Sequence, residues 1–296
     1  MARVVIAGAS GFLGSHLSEE LRGRGHDVVA LVRRHPAGPH ESRWDPYAGV
    51  LDRDLVAGAS VVVNLAGSPT LGNPHSRRWS TRLRESRVTT TRVLAEAVAA
   101  ASRPPAFLAG NAVGWYGDHG AEPVDETSDS RTGTLMTNVC RDWQDATAPA
   151  VAAGGRVCFL RTAPVMDAAS APLKQLRLLF RAGLGARLGD GAQRMPLVSL
   201  RDWVGAVAHL VESDVAGPVN VCCPATPTNA EFTRALAAAV RRPAALAVPA
   251  PVLRVAAGRL SPELLGSVDV RPEVLRRSGY VFRDADVAAV IRTGLA

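Results

Sequence analysis

Lysine is almost missing from this chain: of its 34 basic residues only Lys174 is one, and every other is arginine. Chemistry that needs a lysine amine therefore uses Lys174 or does without. Tyrosine is scarce as well, confined to Tyr47, Tyr116 and Tyr280, and the residue four before Lys174 is Ser170, so no Tyr-x-x-x-Lys pair exists anywhere. The four cysteines (Cys140, Cys158, Cys222, Cys223) form neither a CxxC pair nor a Cys/His spacing, which argues against a disulfide framework and against zinc. Of the 7 histidines, His16 and His209 fall at helix-core spacing and His35, His40, His75 and His119 in loops, so no metal is expected. No stretch offers the ~18 unbroken apolar residues of a membrane span. Met1 also runs straight into Arg3-Val4-Val5-Ile6 without the pattern of a secretory leader, so a cytoplasmic protein is expected.

What is present is ordinary globular composition: 296 residues, 47% hydrophobic and 21% charged. That length buries one large domain with a smaller annex. The net charge of +7 suits a polyanion, either nucleic acid or a small molecule. Arg77, Arg78, Arg82, Arg84 and Arg87 cluster with Trp79, yet no aromatic platform or nucleic-acid motif accompanies them. A solvated helix near cofactor phosphates is the simpler reading, and no nucleic-acid or membrane partner is expected.

Along the chain, apolar runs at 2–7, 28–32, 60–65, 106–109, 156–160 and 219–222 alternate with helical periodicity over 12–25, 82–101, 134–153 and 202–212. Continuously apolar strands alternating with helices predict a doubly wound parallel α/β sheet, a Rossmann fold. Past residue 160 the rhythm breaks into an amphipathic segment, a glycine-rich loop and a Pro-punctuated helical remainder. The expected division is a dinucleotide-binding domain over 1–163 and 198–226, and a discontinuous substrate-binding cap over 164–197 and 227–296.

Between the first strand and first helix stands Gly8-Ala9-Ser10-Gly11-Phe12-Leu13-Gly14, a GxxGxxG turn. Glycines there let backbone approach a pyrophosphate, and the helix start supplies free N–H groups and a positive dipole end. Gly8, Ser10, Gly11, Phe12, Leu13 and Gly14 are thus the expected cofactor cradle. The second strand ends in Arg33-Arg34 with no carboxylate before Glu41. Two guanidinium groups suit a ribose 2′-phosphate, so NADP(H) is expected, with NAD(H) as the alternative.

The glycine spacing, Asn64-Leu65-Ala66-Gly67 and Val113-Gly114-Trp115-Tyr116-Gly117-Asp118 together resemble the short-chain dehydrogenase/reductase superfamily, in its extended or atypical form. More narrowly, Arg78-Trp79-Ser80, Ser86-Arg87-Val88, Val139-Cys140 with Trp143, Phe180-Arg181-Ala182-Gly183-Leu184-Gly185 and Thr228-Asn229-Ala230-Glu231-Phe232-Thr233 resemble the NAD-dependent epimerase family. Two departures stand out: Asn111 where Ser is usual, and Leu197-Val198-Ser199 in place of Trp-Ile-His. The resemblance implies further cofactor contacts at Leu65, Ala66, Gly67, Ser86, Asn111 and Pro164. It also implies catalysis by a Ser, a Tyr and a Lys, in which the tyrosine gives a proton to a carbonyl. Counted from Tyr116-Gly117, those slots fall at Ala112, near Met136 or Thr137, and near Cys140 or Arg141. None holds the required residue type, so the catalytic residues are left unassigned.

Trp115, Tyr116, Met136, Met166 and Met195 fall in segments that flank the nicotinamide end of this fold, which points to a large apolar substrate. An atypical member without the Ser/Tyr/Lys set resembles the angucyclinone ketoreductase type of simocyclinone biosynthesis. That implies reduction of an aromatic polyketide ketone in antibiotic biosynthesis, with the proton supplied by a neighbouring phenol of the substrate itself. The alternative is a catalytically silent NADP-binding regulatory or scaffold protein, which the blank slots also fit.

Overall fold

The computed structural model describes residues 1–296. Seven parallel strands form the central sheet: β1 (Arg3–Ala7), β2 (Asp27–Val32), β3 (Glu41–Arg43), β4 (Val61–Asn64), β5 (Ala106–Ala112), β6 (Val157–Thr162) and β7 (Gly217–Val221). Their order is β7-β6-β5-β4-β1-β2-β3, the doubly wound Rossmann arrangement. The order reverses between β1 and β4, which opens a crevice at their carboxyl ends. β3 is absent from the sequence expectation because Glu41-Ser42-Arg43 carries no apolar run; it survives as a short polar strand at the sheet edge.

Helix α1 (Phe12–Gly23) follows β1, α2 (Arg77–Ala99) joins β4 to β5, and α3 (Leu135–Asp145) lies between β5 and β6. The single helix expected over 134–153 is broken. Pro149 would clash with the Asp145 carbonyl, so α3 stops at Asp145 and a separate turn of helix runs from Ala148 to Ala152. Next come α4 (Ala171–Arg181), α5 (Leu200–Val211), α6 (Asn229–Val240), α7 (Ala250–Ala257), α8 (Ser261–Leu265) and α9 (Val287–Leu295).

Both sheet faces are covered, which is why the strands read as unbroken apolar runs. Leu17 and Leu21 of α1 and Trp203 and Leu210 of α5 pack with Val4, Ile6 and Leu160 on one side; Leu94 and Val98 of α2 pack with Val5, Val62 and Phe107 on the other. A third core joins Leu173, Phe180, Leu197, Phe232, Leu236 and Ile291 under the smaller region. No helix is long and apolar enough to cross a membrane.

Candidate functional site

At the head of the crevice the glycines are there for space. Gly8 has φ +83°, and a Cβ on it would stand 2.7 Å from the Leu65 carbonyl carbon. A Cβ on Gly14 would fall onto the Gly8 carbonyl oxygen, so the helix could not start so close to the strand. The turn is closed by the Gly11 N–H donating to the Gly8 carbonyl at 3.0 Å. Helices α2, α3, α5 and α6 begin with a side-chain cap from Ser76, Thr134, Ser199 and Thr228, whereas Gly11 provides none for α1 and no acidic residue sits in its first turn. The free N–H groups of α1 are therefore left for an external anion. Ser10 and Gly11 are exposed and Phe12 and Leu13 half-buried around this cradle.

The two arginines after β2 separate. Arg34 forks onto Glu41, with Nη1 donating to Oε2 at 2.8 Å, and Glu41 also accepts from the Ala37 N–H. The hydrogen bond from Arg34 holds the Glu41 carboxyl below its usual range. Arg33 is exposed and makes no hydrogen bond or ion pair. Of the two arginines expected to serve a 2′-phosphate, Arg34 is thus paired with Glu41, and Arg33 is the free guanidinium.

On the other side of the crevice, the loop after β4 carries Leu65, Ala66 and Gly67. Asn64 shapes it, its Oδ1 accepting from the Ala66 N–H at 3.0 Å while its Nδ2 donates to Thr91 at 2.8 Å. Ser86 of α2 supports the loop from below, accepting from the Ser68 N–H at 2.9 Å. Arg87, grouped in the sequence with a solvated cluster, is instead 8% exposed. It donates to the Ser68 carbonyl at 3.2 Å and to Thr70 at 3.0 Å, and lies 5.1 Å from the Trp143 ring. Burial without a carboxylate partner lowers its pKa from the usual value. Residues three and four apart share one face of a helix, and the spacing of Leu83, Ser86 and Thr90, which puts Arg87 on the same buried stripe, was the available signal.

Farther along the sheet, Asn111, Arg161 and Asn220 are register partners on β5, β6 and β7. Arg161 is 2% exposed, its guanidinium carbon 3.5 Å from the Trp115 ring centroid. Its Nη1 donates to the Tyr116 hydroxyl at 2.9 Å, and that hydroxyl donates to Asn220 Oδ1 at 2.8 Å. Tyr116 is wholly buried, and burial pushes its hydroxyl up to about 12 against the opposing pull of Arg161 and Asn220. It is a structural tyrosine, not the substrate-facing residue expected. Asn111 is likewise turned inward, donating to the Cys140 carbonyl at 3.1 Å and accepting from the Ala112 N–H, so it does not face a cofactor.

The remaining expected residues divide. Trp115 and Met136 are half-buried near the turn at Gly114, and Pro164 is exposed at the end of β6. Met195 is half-buried, its sulfur accepting from Asn229 at 3.4 Å. Met166 is 2% exposed in the third core, where its carbonyl approaches the close-packed Gly294 of α9; close packing there removes it from any substrate surface on the crevice. In the blank slots, Thr137 and Cys140 are buried, the thiol pushed up to about 12 by burial, and Arg141 is committed to the hydroxyl and carbonyl of Ser130 at 2.8 Å each. A residue not singled out from the sequence reaches this spot from α8: Glu263 Oε1 accepts from Thr134 Oγ1 at 2.7 Å.

The family profile described as the NAD dependent epimerase/dehydratase family matches residues 4–222. The chain belongs to this family. A second profile, a domain of unknown function (DUF1731), matches residues 248–293 and so includes Glu263. Among relatives of the family, the epimerase family protein Mb2239 of Mycobacterium bovis is 42% identical over 95% of this chain and 93% of its own. The crystal structure of human epimerase family protein SDR39U1 (isoform 2) with NADPH superposes with TM-score 0.86 at 28% identity, over 99% of this chain and 98% of that one. An Arabidopsis thaliana homologue of SDR39U1, 27% identical over 98% of this chain and 85% of its own, is named chloroplastic, so family membership does not decide the compartment. The matched stretch includes the Gly8–Gly14 cradle and the positions around Met136 and Cys140.

Proposed function

We propose that this family member is an NADP(H)-dependent oxidoreductase that reduces a carbonyl group. The observation that carries the reading is the pairing of an uncapped α1 start with an unpaired Arg33 at the end of β2. The Gly8–Gly14 turn suits a pyrophosphate because the missing Cβ atoms at Gly8 and Gly14 let strand end, loop and helix start pack closely, with the uncapped start of α1 beside them. Arg33 holds the 2′-phosphate, and the loop at Leu65–Gly67, propped by Ser86 and Arg87, walls the other side. When bound, the reduced nicotinamide supplies a hydride. Residues 164–197 and 227–296 would form the substrate-binding region, with Trp115 and Met136 offering apolar surface to it. The finer form of the reading is a polycyclic aromatic ketone of the angucyclinone type; only Trp115 and Met136, among the residues first expected to bind it, remain beside the slot.

The test is a fluorescence titration of NADPH and NADH against the wild type and Arg33→Ala. A charge-assisted contact to phosphate contributes about 1.5–3 kcal/mol, so NADPH should bind roughly 10- to 100-fold more weakly and NADH unchanged. Equal loss for both would place 2′-phosphate recognition elsewhere. A silent NADP-binding regulator is the second reading, supported by the missing Tyr-Lys pair; it predicts the same titration with no consumption of NADPH against carbonyl compounds.

A further inference from the structure

The blank slots have a carboxyl at their mouth. Helix α8, in the segment matched by the domain of unknown function, brings Glu263 back over the first turn of α3. Its Oε1 accepts from Thr134 Oγ1 at 2.7 Å, and Thr134 Oγ1 is 2.9 Å from Thr137 Oγ1. Its Oε2 lies 3.9 Å from the point where a Cβ on Gly114 would stand; from that point Met136 Cβ is 3.6 Å and Cys140 Sγ 3.7 Å away. Met136 or Thr137, and Cys140 or Arg141, are where the sequence spacing puts the places of the tyrosine and lysine. Glu263 is half-buried.

Resting on the reductase reading above, we propose that Glu263 is the proton donor that replaces the missing tyrosine. Its O–H bond breaks, the electron pair stays on the carboxylate, and the proton joins the carbonyl oxygen as the carbonyl carbon accepts the hydride and the C=O π pair moves to oxygen. Solvent then returns a proton to the carboxylate. Other acids nearby are poorly suited. Tyr116 is sealed between Asn220 and Arg161, and the Cys140 thiol is wholly buried. Burial raises the Glu263 carboxyl above its ordinary range, opposed by hydrogen bonds from Thr134 and the Met136 N–H. The titratable neighbour is the Cys140 thiol, itself beside the cation of Arg87; Asp118 packs under the following Gly266.

The experiment compares wild type and Glu263→Gln, an isostere that still accepts from Thr134, using NADPH with phenanthrenequinone as the carbonyl probe. Turnover should fall by roughly 100-fold or more, the usual effect of removing a general acid, with the NADPH dissociation constant changed by less than about twofold. Wild-type turnover should decline as pH rises through the raised Glu263 pKa, because the protonated form is the active one, and this limb should vanish in Glu263→Gln. Independently of turnover, infrared spectra of glutamate-labelled, NADP-loaded protein taken over a pH series should show a protonated-carboxyl band that persists to higher pH than that of ordinary glutamates and that the substitution removes. Turnover within about threefold of wild type, a parallel collapse of NADPH affinity, or absence of that band would each overturn the assignment. A wild type that consumes no NADPH would overturn the reductase reading and the donor with it, whereas an active wild type matched by Glu263→Gln would overturn the donor alone.

Discussion

At the phosphate end of the crevice, Gly8, Gly11 and Gly14 close a turn within one strand–helix junction, walled by Leu65 and Ala66 of the adjoining loop. At the other end, the Thr134–Glu263 hydrogen bond joins residues 129 positions apart, and no short stretch contains the site. The difference teaches that the cradle for the pyrophosphate is a local property of backbone geometry, whereas the proposed proton donor depends on how the C-terminal segment docks. The two ends should therefore respond differently to substitution.

The largest effect is expected at the cradle. Gly14→Val places carbon atoms onto the Gly8 carbonyl, and relief requires moving the helix start away from the strand. Overpacking of this kind costs about 1–3 kcal/mol of stability, and the displaced N–H groups should weaken NADPH by more than ~100-fold in a titration. Retained affinity would show that the turn tolerates a wider approach, and the contrast between the two ends would fail.

Next in size is Tyr116→Phe, which removes the donor to Asn220 and the acceptor for Arg161 while leaving both buried. Thermal or denaturant unfolding should show a loss of about 1–3 kcal/mol, with NADPH binding and turnover preserved to within a fewfold. Inactivation without loss of stability would place Tyr116 in the catalytic machinery. The smallest effect belongs to Arg34→Ala. Because Glu41 already holds that guanidinium, NADPH affinity should change by less than about threefold, far below the effect at Arg33. A loss as large as that of Arg33→Ala would mean that Arg34 leaves Glu41 when the cofactor binds.

The sequence by itself determined the strand–turn–helix cradle, the alternation of apolar strands with helices and the absence of a Tyr-Lys pair. Each is a property of spacing within a few residues, where chain geometry leaves little choice. Tertiary structure alone decided the rest. It paired Arg34 with Glu41 through the short polar strand β3, which has no apolar signature, and buried Arg87 from a run of arginines that looked solvated. It also drew Tyr116 into hydrogen bonds with β6 and β7 and set Met166 into the third core. Glu263 was illegible for the same reason. A carboxylate on a short C-terminal helix carries no local pattern, and its meaning comes from the hydroxyl of Thr134 and the cleared space at Gly114 that folding places against it.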